Sequence, residues 1–213
     1  MKKLSLNLTA LFSMLLMLLA GCSKTDVAPK DGASATNTQD ATAPLTFVVK
    51  SYIFLRMPGP TILGQQAGHT GVGYEVREMR GSTITKVYTY CGGVENSGGS
   101  PFVSPGGDNG GWVQYNLTSN TAMMSKMRSM GYQSYKFETG FRSIAQSDLN
   151  GAANMIRYFP YRGYAFADNN CANAVYQVLE WLRAPGVAWP ETNWFPKDQF
   201  NKTVTGWSGA RAL

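Results

Sequence analysis

Asn169-Asn170-Cys171-Ala172-Asn173-Ala174-Val175-Tyr176-Gln177-Val178-Leu179 is the stretch on which the fold turns. Val175, Val178, Leu179 and Leu182 recur at the spacing of one helical face, and Cys171 lies on that same face one turn before Val175. The pattern predicts a helix running to about Arg183 and ended by Ala184-Pro185-Gly186, with Cys171 in its first turn and its thiol turned toward a sheet. Asp168 or Asn169 is placed to cap it. First-turn N–H groups and the helix dipole favour a thiolate, so the thiol is expected to ionise below the free value of about 8.5. The N–H of Cys171 is a natural oxyanion donor. The competing reading is a small buried hydrophobe, which is what most cysteines are.

The chain has a single histidine, His69, so any imidazole chemistry must use it. It opens His69-Thr70-Gly71-Val72-Gly73-Tyr74-Glu75-Val76, a strand pattern continuing to Glu78. Residues 83–91 read as its hairpin partner around Arg80-Gly81-Ser82. A turn centred near residue 80 puts Thr89 and Cys91 across from His69. Cys91 is then a rival nucleophile, on a strand without a helix end behind it. A Cys91–Cys171 disulfide is the structural alternative, since an exported chain meets oxidising conditions.

Residues 45–56 are β-branched and aromatic-rich and read as a first strand. The glycine-rich residues 92–111 read as a long loop without a phosphate-loop motif. Ser119 or Asn120 caps a helix to Met130, and its Met123, Met124, Met127 and Met130 form a core stripe. Residues 133–139 form a further strand, and Ser147 caps a helix with Leu149, Ala153 and Ile156 on one face. Tyr161–Phe166 is a short aromatic run, and residues 187–213 are ordered coil with a turn at residues 196–200.

The amino terminus carries Lys2 and Lys3, then an apolar run from Leu11 to Leu19 that is too short to span a bilayer. It ends in Leu19-Ala20-Gly21-Cys22, which resembles a bacterial lipobox. The resemblance implies a signal peptide over residues 1–21, lipidation of Cys22 and an envelope location anchored by lipid. Ser23 in place of an acid points to the outer membrane. An ordinary secretory signal is the alternative. Residues 22–44 are small and polar and read as a flexible tether, leaving residues 45–213 for one domain. The net charge of +6 drops by two when Lys2 and Lys3 leave, because no acid precedes residue 22. No basic stripe with interleaved aromatics is present, which argues against nucleic acid.

The pairs His69-x-Gly71-Val72 and Asn170-Cys171 resemble the circularly permuted branch of the papain-like fold. That branch holds permuted NlpC-like amidases, lecithin:retinol acyltransferase-like proteins and PPPDE-like proteins. The resemblance implies an α+β fold, with an antiparallel sheet packed on helices and the nucleophile at a helix N-terminus. It implies a hydrolase or acyltransferase acting on an amide or acyl bond through a Cys171 thioester, with His69 moving the proton. Peptidoglycan peptides or lipid amides are its implied substrates. Such sites carry a third polar residue; Thr89, Tyr90 and Glu95 are the candidates to orient the ring, and Asn170 stands beside the nucleophile. No metal or other cofactor is expected, since one histidine without clustered carboxylates makes no ligand set. A monomer is expected. The rival readings are a non-catalytic envelope-binding module and a structural lipoprotein.

Overall fold

In a computed structural model the described residues are 43–59, 61–62, 64–95, 102–167, 169–187, 195–202 and 205–213. The expected signal peptide, Cys22 and nearly all of the tether lie outside them.

The strands are β1 (Leu45–Arg56), β2 (Thr61–Ile62), β3 (Gln65–Gln66), β4 (His69–Arg80), β5 (Thr83–Gly93), β6 (Phe102–Val103), β7 (Trp112–Leu117), β8 (Ser134–Phe137), β9 (Arg142–Ile144), β10 (Tyr164–Ala165) and β11 (Arg211–Ala212). The α-helices are α1 (Asn120–Ser129), α2 (Gln146–Arg157), α3 (Cys171–Trp181) and α4 (Pro196–Asn201). The main sheet runs β11-β8-β1-β4-β5-β7, antiparallel throughout. One side of β1 is shared: β8 pairs with Tyr52–Leu55 and β9 with Phe47–Val49. The chain is thus a mixed α+β protein, an antiparallel sheet packed against a few helices.

Alternation along β1 and β4 sends side chains to two different layers. Val49, Ile53, Val72, Tyr74 and Val76 meet Leu149 and Ile156 of α2 and Val175, Val178 and Leu179 of α3. Each fully buried aliphatic side chain there contributes about 1.5–3 kcal/mol through removal from water. The expected inward face of the Cys171 helix is therefore the face that packs. Tyr52, Phe54 and Cys91 meet Met123 and Met127 of α1, with Tyr132, on the other side. The methionine stripe is core, as its spacing suggested. Gly71 and Gly73 explain how α1 comes so close. A Cβ on Gly73 would lie 2.6 Å from the Met123 sulfur, and one on Gly71 2.8 Å from the Met127 methyl.

Two boundary expectations are corrected. Helix α2 begins at Gln146 and no side chain caps it, so Ser147 is inside the first turn. The stretch after residue 187 contributes α4 and the edge strand β11 rather than coil alone. Among the described residues no helix is long and apolar enough to cross a membrane.

Candidate functional site

Cys171 is the first residue of α3, and Asn170 caps that helix. The extended backbone of Asn170 swings its side chain over the helix end, where Oδ1 accepts from the N–H of Ala172 (2.8 Å) and of Asn173 (3.2 Å). Asn173 returns the favour through Oδ1, which accepts the Asn170 N–H at 3.0 Å. Asn170 Nδ2 donates to the carbonyl of Phe166 at 2.9 Å. This corrects the expected cap. Asn169 is engaged instead with Arg162, its Oδ1 accepting from Nε at 2.9 Å and also from Nη2. Asp168 lies outside the described residues. The Asn170 Oδ1 and one Nδ2 N–H are spent on holding the helix end, which makes Asn170 a scaffold for the nucleophile.

Cys171 is 2 % exposed. Burial pushes its ionisation upward, and the N–H groups of Thr70, Ala172 and Cys171 itself oppose that push. The helix-end effect expected from the sequence is present but does not prevail, because the first turn is sunk in the core. The Thr70 hydroxyl faces the thiol too, yet it meets no acceptor at hydrogen-bond geometry among the described residues. The backbone donors are therefore the ones that count. The cap takes the N–H groups of Ala172 and Asn173 and not that of Cys171.

His69 begins β4 one residue before Thr70, whose N–H reaches the thiol. Its side chain is 7 % exposed. Burial, and then the Arg56 charge, draw its pKa down to about 3. Thiol and imidazole are thus both neutral at rest near pH 7.

The hairpin register differs from the expected one. Arg80 pairs with Thr83 across a two-residue turn, and a bulge at Glu78/Met79 shifts the strands further. Cys91 then faces Gly73, and Thr89 faces Glu75. Thr89 is about 20 Å along the strand from the row of His69, at about 3.3 Å per residue. Tyr90 stacks on Tyr74 with ring centroids 4.9 Å apart. Neither orients the histidine. Gly71 faces Gly93, so continuing that register puts Glu95 opposite His69, while Arg56 faces His69 from the other side. Glu95 Oε1 accepts from Arg56 Nη1 at 2.9 Å, and Arg56 Nη1 also donates to the Met130 carbonyl at 3.2 Å. Of the three proposed orienting residues only Glu95 reaches the site, and there it holds Arg56.

Cys171, His69, Arg56, Glu95, Asn170 and Tyr164 open on one cavity of about 300 Å³. Cys91 is absent from it. Cys91 is fully buried on the α1 side, where burial raises its pKa to about 12. Cys91 and Cys171 are both free thiols, so no bridge joins them.

No family model, curated protein or solved structure matches this chain. The site must therefore be read from its own chemistry. Among the described residues no group of three or more His, Cys, Asp or Glu side chains could hold a metal. Sequence reasoning missed Arg162, which is 7 % exposed and has a buried Nη1 without a partner among the described residues. Burial lowers its pKa to about 10, while the Cys171 charge pulls the other way. A lone Arg beside a glycine gives no signal of burial. Tyr132, packed beside His69, and Trp112, packed on Tyr132, were equally silent in sequence.

Proposed function

We propose that this chain is a lipid-anchored envelope protein with a permuted papain-like domain, acting as a cysteine hydrolase or acyltransferase on an amide or acyl bond. One observation carries the reading. The thiol of Cys171, at a capped helix N-terminus, takes an N–H from the residue next to the chain's only histidine, and both residues line one cavity.

The chemistry follows from those positions. Cys171 Sγ attacks the carbonyl carbon of the substrate as its proton passes to His69. The Cys171 N–H receives the developing oxyanion. Collapse breaks the bond to the amine or alcohol, which leaves with the proton from His69. The thioester then passes to water in a hydrolase or to an acceptor amine or hydroxyl in a transferase. Because both groups rest neutral, the proton moves on substrate attack and not beforehand. Peptidoglycan peptides or lipid amides are the substrates that an outer-membrane anchor at Cys22 would bring within reach.

A non-catalytic binding module on the same fold is the second reading. It is favoured by the upward push of burial on the thiol. The deciding experiment is iodoacetamide alkylation against pH, with mapping of the modified residue, in wild type, Cys171→Ser and His69→Ala. Preferential modification of Cys171 that slows in His69→Ala supports the hydrolase. An inert Cys171 in the folded, reduced protein sinks it. Mass spectrometry of the membrane fraction tests the anchor: the mature chain should begin at an acylated Cys22.

A further inference from the structure

Gly71 and Gly93 face each other across β4 and β5, and the phenol of Tyr132 lies over the pair. A Cβ on Gly71 would fall 2.7 Å from Tyr132 Oη, and one on Gly93 2.5 Å from the same oxygen. The Gly93 position is also 3.2 Å from Trp112 Nε1 and 3.7 Å from His69 Nε2. Three polar atoms from three separate segments thus converge above a residue that has no side chain. Trp112 is there because it is the cross-strand partner of Gly93. Tyr132 is there because the turn after α1 ties its N–H to the Met127 carbonyl at 3.2 Å.

All three atoms are buried, and none has a hydrogen-bond partner among the described residues. Buried polar atoms are normally paired, so such a convergence asks what joins them. Their chemistry restricts the answer. The Trp112 indole can only donate, a tyrosine hydroxyl donates and accepts, and a neutral imidazole nitrogen does one or the other. If Nε2 carried the proton, three donors would face one acceptor, the Tyr132 oxygen. If Nε2 is bare, the chain Trp112 N–H to Tyr132 O–H to Nε2 satisfies every atom.

We propose that Tyr132 and Trp112 are the positioning residues for His69, donating along that chain toward Nε2, and so holding the neutral ring with its proton on Nδ1. They take the place of the third polar residue that Thr89, Tyr90 and Glu95 do not supply. The phenol stays protonated throughout, since burial first and then the Cys171 charge raise its pKa well above the usual value. For catalysis the inference rests on the proposed hydrolase reading. There the ring must turn Nε2 from the α1 layer toward Cys171 before it acts as the base: Nε2 leaves the Tyr132 O–H, the S–H bond of Cys171 breaks and an Nε2–H bond forms.

The single histidine makes a direct test. In protein labelled with nitrogen-15, long-range proton–nitrogen correlation spectra contain one imidazole, and its two nitrogen shifts report the tautomer. The wild type should show Nδ1–H with a bare Nε2 at pH 7. In Tyr132→Phe the ratio of the Nδ1–H to the Nε2–H form should fall by roughly tenfold, the equilibrium effect of one hydrogen bond. Trp112→Phe should shift it in the same direction by less. Wild type resting as Nε2–H overturns the proposal without any variant. So does an unchanged ratio in a folded Tyr132→Phe. Should Tyr132→Phe fail to fold, the wild-type tautomer and Trp112→Phe decide. The spectra need no activity, so the two readings separate. A responsive tautomer beside an inert Cys171 removes the hydrolase and leaves the relay. A reactive Cys171 with an indifferent tautomer removes the relay alone.

Discussion

The two faces of the sheet are filled by opposite means. On the α3 side, aliphatic side chains from strand and helix interlock, and Cys171 sits at the margin of that layer, where it opens to a cavity. On the α1 side the strands withdraw to glycine, and methionine and tyrosine from elsewhere fill the space. Cys91 lies within that second layer, with no helix end and no opening. Both thiols are buried and both are raised by burial. What separates them is the set of backbone donors and the cavity around Cys171. Burial alone therefore says little about a cysteine; the groups that face its sulfur say more.

The largest test of this contrast concerns His69, which projects into the α1 layer. Its folded pKa of about 3 lies below the value of 6.5 expected of an unfolded chain. The unfolded chain therefore takes up the proton first, and stability falls as pH drops below about 6.5, by up to about 1.4 kcal/mol per pH unit until the folded value is reached. Chemical denaturation at pH 7 and pH 4 should show a loss of about 3 kcal/mol that is missing in His69→Gln. Equal losses in the two proteins would mean that the α1 layer holds no buried neutral imidazole.

Gly71→Ala probes the same layer by steric means. The new methyl would meet the Tyr132 ring and the Met127 methyl within 2.8 Å. A cost of about 1–3 kcal/mol is expected, as for overpacking in general. A thermal melt that matches wild type would show that α1 is less tightly seated than described.

The thiols themselves give the next test. In the folded, reduced protein at pH 8, Cys171 should be alkylated at least about tenfold faster than Cys91, with the difference vanishing in denaturant. A ratio near one would erase the distinction between the faces. The smallest effect belongs to the cap. Asn170→Ala removes the acceptor for two N–H groups and should cost about 1 kcal/mol, measured as a shift in denaturation midpoint. The Cys171 alkylation profile should move with it; a profile that stays put would mean the cap stabilises the helix without placing the thiol.

Much of the fold was legible in the chain. Leu45–Arg56 and the helix from Cys171 carry strong periodicities, and both elements appear as expected. Helix α1 was equally plain from Ser119 and its methionines. The misses share a cause. The register of β4 against β5 depends on a bulge at Glu78/Met79, and nothing in the local residue types announces it. The two-residue turn at Gly81-Ser82 and that bulge together moved Thr89 and Tyr90 away from His69 and brought Glu95 alongside. The short strands β7 and β9 lack a clear alternation of their own and exist through pairing with β5 and β1. Cys171 and His69 could be named because their residue types are rare here. Tyr132, Trp112 and Arg162 could not, because tertiary packing alone brings common residues to that place.

The row Arg56–His69–Glu95 has a consequence for encounter with a ligand. Its cation and anion are in contact at 2.9 Å on either side of an uncharged ring, and the other described residues of the cavity are uncharged at rest. Opposite charges so close together cancel beyond a few ångströms, leaving little field to reach into the solvent. The row itself should then add little to the ionic-strength dependence of association, and what it contributes to selection must rest on shape and on the contacts made once the molecule is inside.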